Sequence, residues 1–92
     1  MSELIFGHKE KFPNGDIIEI KVWNVPKTKL QTEGVSYSMV YIRNGIRIIG
    51  FDNFELHGHH KHVFGRIIPY AFVDIWKAIE DFNAEVDKVR RT

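Results

Sequence analysis

The sequence predicts an α+β fold, an antiparallel sheet of four to five strands with one C-terminal amphipathic helix packed on one face. Two observations lead to this expectation. Four β-rich runs joined by turn signals fill the first half of the chain, and apolar residues recur at helical spacing near its end. The 92 residues suffice for one domain with a modest core, so we expect a single domain over residues 1–92.

The first two strands are predicted over residues 4–12 and 17–25, with Pro13-Asn14-Gly15 as the turn between them. Proline pre-sets φ for a turn, and glycine accepts a positive φ without a Cβ clash. A three-residue loop places Lys9 opposite Glu19, whereas a two-residue loop sets two glutamates against each other. We favour the first, because facing opposite charges attract.

The next two strands are predicted over Val35–Arg43 and Ile46–Asp52. They flank Asn44-Gly45, which is the strongest short-range signal for a type I′ hairpin turn. This turn sets Tyr41 opposite Ile48. Both faces of the hairpin carry apolar groups, so we expect these strands to be central and covered on both sides.

The remaining connections carry weaker signals. The polar stretch 26–34 reads as a surface loop that is too short to divide domains. Residues 63–72 are assigned no more than one short strand.

The helix is predicted from Ile75 to about Arg90, with Asp74 as its N-cap. Its apolar stripe consists of Ile75, Trp76, Ile79, Phe82, Val86 and Val89. Burying each of these side chains contributes about 1.5–3 kcal/mol, whereas ordering each backbone residue costs about 1–2 kcal/mol. The helix is therefore expected to be stable only when it is docked on the sheet.

The composition excludes several classes of protein. Apolar residues at 43% and aromatic residues at 13% are typical of a folded globular chain rather than a disordered one. No apolar run reaches the ~18–20 residues of a membrane span, and the start lacks a signal-peptide pattern, so we expect a cytoplasmic protein without membrane contact. The absence of cysteine excludes disulfides and thiolates, so any metal would be held by histidine and carboxylate.

Charge gives only a local signal. A net charge of +1 exerts no global attraction on nucleic acid. Residues 35–70 are locally basic, however, which is compatible with an anionic ligand. Their basic side chains are Arg43, Arg47, Lys61 and Arg66, against Asp52 and Glu55.

Most of the reactive groups lie in residues 51–62, which hold four of the five histidines. In an extended chain, alternation places His60 and His62 on one face, about 6–7 Å apart, and Lys61 on the other. Four interpretations stay open: an acid/base pair, a metal site, a histidine-rich surface loop without chemistry, and histidines with a structural role. Asp52 either orients an imidazole or completes a two-histidine, one-carboxylate metal site.

These residues also carry a resemblance. Phe51-Asp52-Asn53, followed four residues later by Gly58-His59-His60-Lys61-His62, resembles the signature of the TumE-like family of small toxins from prokaryotic toxin–antitoxin systems. The family's later motifs are matched by Pro69-Tyr70-Ala71-Phe72 and by Asp81-Phe82, and its front half by residues 15–20. His57 and His59 depart from the family pattern, so neither they nor His8 receives a role.

The resemblance implies the toxin of a type II pair, silenced by a cognate antitoxin that we expect to be a helix-turn-helix protein from the adjacent gene. It further suggests a metal-independent endoribonuclease with histidine acid/base catalysis and no cofactor, and with RNA as its target; a homodimer is compatible. The catalytic candidates are His60, His62, Lys61 and Asp52, and the substrate-binding candidates are Arg66, Arg47, Asn53 and Tyr70. The alternatives are a hydrolase with a metal at His60, His62 and Asp52, and a protein-binding module without catalysis.

Overall fold

The computed structural model describes residues 3–27, 34–53 and 58–91, which form six strands and one helix. The elements are β1 Glu3–Lys11, β2 Ile17–Asn24, β3 Val35–Arg43, β4 Ile46–Asp52, β5 His60–Val63, β6 Arg66–Pro69 and α1 Ile75–Arg90. The α+β class is confirmed, but the predicted count of four to five strands is wrong, since the described residues form six.

The extra strands come from a hairpin that the sequence does not reveal. β5 and β6 are four residues each and are joined by Phe64-Gly65, with φ values of 49° and 80°. Asparagine or aspartate usually occupies the first such position, because a bulky side chain is disfavoured at positive φ. Phe64 and Gly65 therefore form a turn of the same kind as Asn44 and Gly45, but without its sequence signal.

The six strands form one antiparallel meander in which each strand pairs with the next along the chain. The predicted pairing of Lys9 with Glu19 is confirmed. β3 and β4 lie in the middle of the sheet, as expected for strands with apolar residues on both faces. The described helix covers only one of these faces.

A bulge changes the register between β3 and β4. The turn residues 44–45 both have positive φ, as the type I′ turn requires. Tyr41 nevertheless pairs with Ile49, so the expected pairing with Ile48 is wrong. The bulge adds one residue to one strand and reverses the alternation beyond it. As a result Ile49 faces the helix and Asp52 faces away from it.

The core lies between the sheet and α1. The N-cap prediction is confirmed, because the carboxylate of Asp74 accepts a hydrogen bond from the backbone N–H of Lys77 at 2.8 Å. Phe82 is fully buried and meets Phe51 edge to face, with 5.7 Å between the ring centroids. The prediction that Trp76 belongs to the buried stripe is wrong. It is 70% exposed, because at about 100° per residue it lies some 120° around the helix from Phe82.

A buried carboxylate ties the first turn to β3. Asp16 accepts hydrogen bonds from the hydroxyl of Tyr41 and from the guanidinium of Arg43, at 3.2 Å and 3.3 Å for the latter. The hydrogen bond from Tyr41 lowers the pKa of Asp16 and outweighs the opposing effect of burial. Arg43 is thus held in a structural contact at this end of the sheet.

Two sequence predictions fall outside the described residues. Most of the polar stretch 26–34 is one, and His57 is the other. Across the described parts of the chain, no helix is both long and apolar enough to cross a lipid bilayer.

Candidate functional site

Strand pairing brings three reactive side chains to one face. Asp52 on β4 lies directly opposite His60 on β5. Because alternate residues point to opposite faces, His62 shares this face, whereas Lys61 lies with Phe51 on the face that carries the helix. His60 and His62 therefore lie together and Lys61 points away, as the alternation predicts. We call Asp52, His60 and His62 the histidine–aspartate cluster.

One carboxylate contacts both imidazoles of this cluster. His60 Nε2 lies 3.0 Å from Asp52 Oδ1, and His62 Nε2 lies 3.9 Å from Asp52 Oδ2. The ring centroids are 5.1 Å apart and the rings are inclined at 74°. The side chains are only 13–16% exposed, so water screens their interactions weakly.

Both ring nitrogens of His60 have acceptors close by. Its Nδ1 lies 3.0 Å from the carbonyl oxygen of Gly58, while its Nε2 faces the Asp52 carboxylate. A carbonyl and a carboxylate can only accept, so both contacts are hydrogen bonds when both ring nitrogens carry a proton. These two contacts fix the orientation of the His60 ring.

The surroundings of His62 favour its neutral form. Burial lowers its pKa below the ordinary value of 6.5, the positive charge of Arg47 lowers it further, and Asp52 opposes both. His62 is therefore neutral at neutral pH, with a ring able to accept a proton. A neutral imidazole next to a second histidine is a common arrangement for acid/base chemistry.

A glycine gives Arg47 its place in the site. Gly50 lies in a central strand opposite His62, and a Cβ built there would lie 3.0 Å from Cδ of Arg47. The missing side chain lets the arginine cross β4 towards His62. Arg66 pairs with Val63 on the helix side of the sheet, so Arg47 supplies the positive charge at this site and Arg66 does not.

The cluster opens into a cavity of about 480 Å³. Its lining residues are His59, His60, His62, Ile67 and Pro69. Ile67 and Pro69 enter from β6, where they pair with His62 and His60 respectively. Both histidines of the cluster thus reach a space that is open to a ligand.

A family model described as "Toxin TumE" matches residues 4–90, which include every described residue of the site. The chain belongs to the TumE toxin family. The resemblance seen in the sequence is thereby confirmed, and with it a role as a toxin, which in turn implies an antitoxin partner. No match was found among curated proteins or among solved structures.

Two of the substrate-binding candidates predicted from the sequence of this TumE-family chain make structural contacts. Asn53 is buried; its Oδ1 accepts a hydrogen bond from the backbone N–H of Tyr37 at 3.0 Å, and its Nδ2 donates to the carbonyl of Val35 at 2.9 Å. The Tyr70 hydroxyl donates to Asp81 Oδ2 at 2.6 Å, and burial raises its pKa. Neither contact points into the cavity, so the structure does not bring these two residues to the histidine–aspartate cluster.

The same cluster fits a metal ion by its donor set. One ligand atom from each of Asp52, His60 and His62 lies within 4.8 Å of the others. Two imidazoles and one carboxylate suit a transition metal such as iron or zinc. The contact from His60 Nδ1 to the carbonyl of Gly58 is also the kind that orients a metal-ligating histidine. These residues would hold the ion, which would polarise a bound water or phosphate.

Sequence reasoning missed four residues of the site. Gly50 was not singled out, although a glycine inside a predicted central strand can signal close approach of another group. Ile67 and Pro69 were missed because the β5–β6 hairpin was not recognised. His59 also lines the cavity, while its ring stacks on Phe72 with centroids 4.2 Å apart.

Proposed function

We propose that this TumE-family toxin cleaves RNA by metal-independent transesterification, with His62 as the general base and His60 as the general acid. The observation that carries the proposal is the pair of imidazoles that contact one carboxylate beside an open cavity, with the pKa of His62 lowered by burial and by Arg47. Asp52 positions the rings, and Arg47 is the nearby cation.

The proposed reaction uses the 2′-hydroxyl of the RNA as the nucleophile. His62 takes the 2′-hydroxyl proton, the 2′-oxygen bonds to phosphorus, and the 5′-oxygen leaves with the proton of His60. The products are a 2′,3′-cyclic phosphate and a 5′-hydroxyl end. Each imidazole contributes about 10²–10⁴-fold, and a fixed donor at the developing charge contributes about 2.7–4 kcal/mol. Arg47 is assigned the second role.

Besides Asn53 and Tyr70, two further candidates from the sequence have no role in this mechanism. Lys61 and Arg66 belong to the face of the sheet that carries the helix. Lys61 lies over the ring of Phe51 there, with 5.9 Å between its Nζ and the ring centroid. Substitution of either residue should therefore affect stability more than the rate of cleavage.

The partner belongs to the same proposal. Membership in a toxin family supports an antitoxin, and we propose that it is the product of the adjacent gene, a helix-turn-helix protein of a type II pair. Co-expression of that product should suppress growth arrest and yield a stable complex with this chain. Suppression without complex formation would contradict the type II assignment.

The experiment that tests the catalytic assignment compares three alanine variants. His60→Ala and His62→Ala should each remove growth arrest in a bacterial host and slow RNA cleavage by about 10²–10⁴-fold. His8→Ala is the matched control, because that histidine is half-exposed on β1 and should leave both readouts unchanged. Circular dichroism verifies that each variant is folded. Parental activity in both cluster variants would refute the assignment.

A metal-dependent hydrolase is the second candidate, and the donor set of the histidine–aspartate cluster favours it. It predicts stoichiometric binding of Zn²⁺, Mn²⁺ or Fe²⁺, which Asp52→Asn should weaken. It also predicts that activity disappears after dialysis against a chelator and returns with added metal. Activity that persists under excess chelator rejects this candidate.

A further inference from the structure

The cavity beside the histidine–aspartate cluster has an apolar wall that acid/base chemistry does not need. We propose that Ile67 and Pro69 form the subsite for the nucleobase on the 5′ side of the scissile phosphate. This inference rests on the proposed function, because the role of His62 as the general base determines which nucleotide occupies the subsite.

Strand register places the wall next to the reacting groups. Ile67 pairs with His62 and Pro69 pairs with His60 across β5 and β6. Directly opposed residues of antiparallel strands have Cβ atoms about 4.5–5.5 Å apart. A ligand that contacts either imidazole therefore meets apolar surface within the span of one nucleotide.

The exposure of this wall leaves it accessible to a ligand in the cavity. Ile67 is 69% exposed and Pro69 is also exposed, although both lie beside imidazoles that are almost buried. A cavity of about 480 Å³ also exceeds what one phosphate group needs. Nucleobases commonly pack their flat faces against apolar side chains in such pockets.

The order of groups across the sheet sets the polarity of the bound strand. Arg47 crosses β4 over Gly50, His62 follows on β5, and Ile67 follows on β6. The positive charge of Arg47, the proton-accepting ring of His62 and the apolar side chain of Ile67 thus follow one another over about 10 Å, given strand spacings of about 4.8 Å. A phosphate, a 2′-hydroxyl and a nucleobase occur in the same order in one ribonucleotide. The nucleotide whose 2′-hydroxyl His62 would deprotonate is the one 5′ to the cleaved bond.

The class of ligand follows from this geometry. The face of a base reaches such a wall only when the base is unstacked, and single-stranded RNA offers unstacked bases at low cost. We therefore assign the subsite to a nucleobase of single-stranded RNA.

Binding experiments with non-cleavable probes test the subsite. Adenosine 3′-monophosphate and inorganic phosphate are titrated into the full chain by calorimetry. The parent should bind the nucleotide more tightly than phosphate. Ile67→Ala should weaken nucleotide binding by about tenfold and leave phosphate binding unchanged, because it removes three apolar carbons from a partly covered contact. Ile46→Ala is the matched control, since Ile46 is 63% exposed and does not line the cavity.

Each outcome decides the subsite separately from the proposed function. Equal binding of nucleotide and phosphate by the parent, or parental nucleotide affinity in Ile67→Ala, would overturn the subsite even if RNA is cleaved. The predicted pattern of affinities in a chain that does not cleave RNA would support the apolar base site and refute the ribonuclease.

Discussion

Asp52→Asn is the substitution that most directly probes the coupling within the histidine–aspartate cluster. It keeps the shape of the side chain and removes the charge that faces His60 at 3.0 Å and His62 at 3.9 Å. The amide can still accept one hydrogen bond. The loss is therefore confined to the charged part of the interaction.

The magnitude of the effect follows from burial. Since the three side chains are only 13–16% exposed, the Asp52 carboxylate makes a poorly screened, charge-assisted contact with the imidazolium that His62 becomes as it takes up the 2′-hydroxyl proton. Such a contact is worth about 1.5–3 kcal/mol. At 1.36 kcal/mol per factor of ten, its loss from the transition state slows cleavage by about 10- to 150-fold. We expect unfolding stability to fall by about 1–3 kcal/mol, less than the loss when a buried charge keeps no partner.

Single-turnover RNA cleavage and urea unfolding measure the two effects. Asp81→Asn is the matched control: its carboxylate accepts a 2.6 Å hydrogen bond from Tyr70 on the helix side of the sheet. That variant should lose stability and keep its cleavage rate per folded molecule. A parental rate in Asp52→Asn, or an equal loss of rate in Asp81→Asn, would refute the reasoning.

Three further predictions concern packing and pH. Phe82→Ala should cost about 3–5 kcal/mol in urea unfolding, because the ring is fully buried against Phe51; a loss below about 1 kcal/mol would contradict this packing. Arg47→Ala should raise the pKa of His62 in an NMR titration. The pKa of His62 is lower in the folded chain than in the unfolded chain, so below pH 6.5 the unfolded chain binds more protons and the folded state loses stability as the pH decreases. This loss should be smaller in Arg47→Ala, and an unchanged pKa of His62 would exclude the arginine as a cause of the shift. Asp16 has a folded pKa below 3.8, so it stabilises the chain above that pH and loses this effect in acid; Asp16→Asn should flatten the acid limb of the unfolding curve, and a parental acid limb would contradict the buried contact.

Local signals were sufficient for much of the fold. Asn44 and Gly45 both adopt positive φ, the helix begins after Asp74, and the charge pairing of Lys9 with Glu19 selects the correct loop length. Each of these features depends on residues that are close in sequence or directly paired. The third hairpin was missed because Phe64 at φ 49° resembles no turn signal.

The site was only partly predictable, because it combines short-range and long-range geometry. Strand alternation alone put His60 and His62 on one face. The contact of Asp52 with both rings depends on the register between β4 and β5, and the bulge between β3 and β4 determines which face Asp52 occupies. Sequence patterns do not encode a bulge reliably, so the position of Arg47 over Gly50 could not be derived either.

The chemistry of the RNA ends that the purified chain produces under excess chelator is the most direct test of the central claim. Acid/base catalysis by His60 and His62 predicts undiminished cleavage, with a 2′,3′-cyclic phosphate on one fragment and a 5′-hydroxyl on the other. Cleavage that stops with the chelator, or that leaves a 3′-hydroxyl and a 5′-phosphate, would contradict transesterification by the histidine–aspartate cluster.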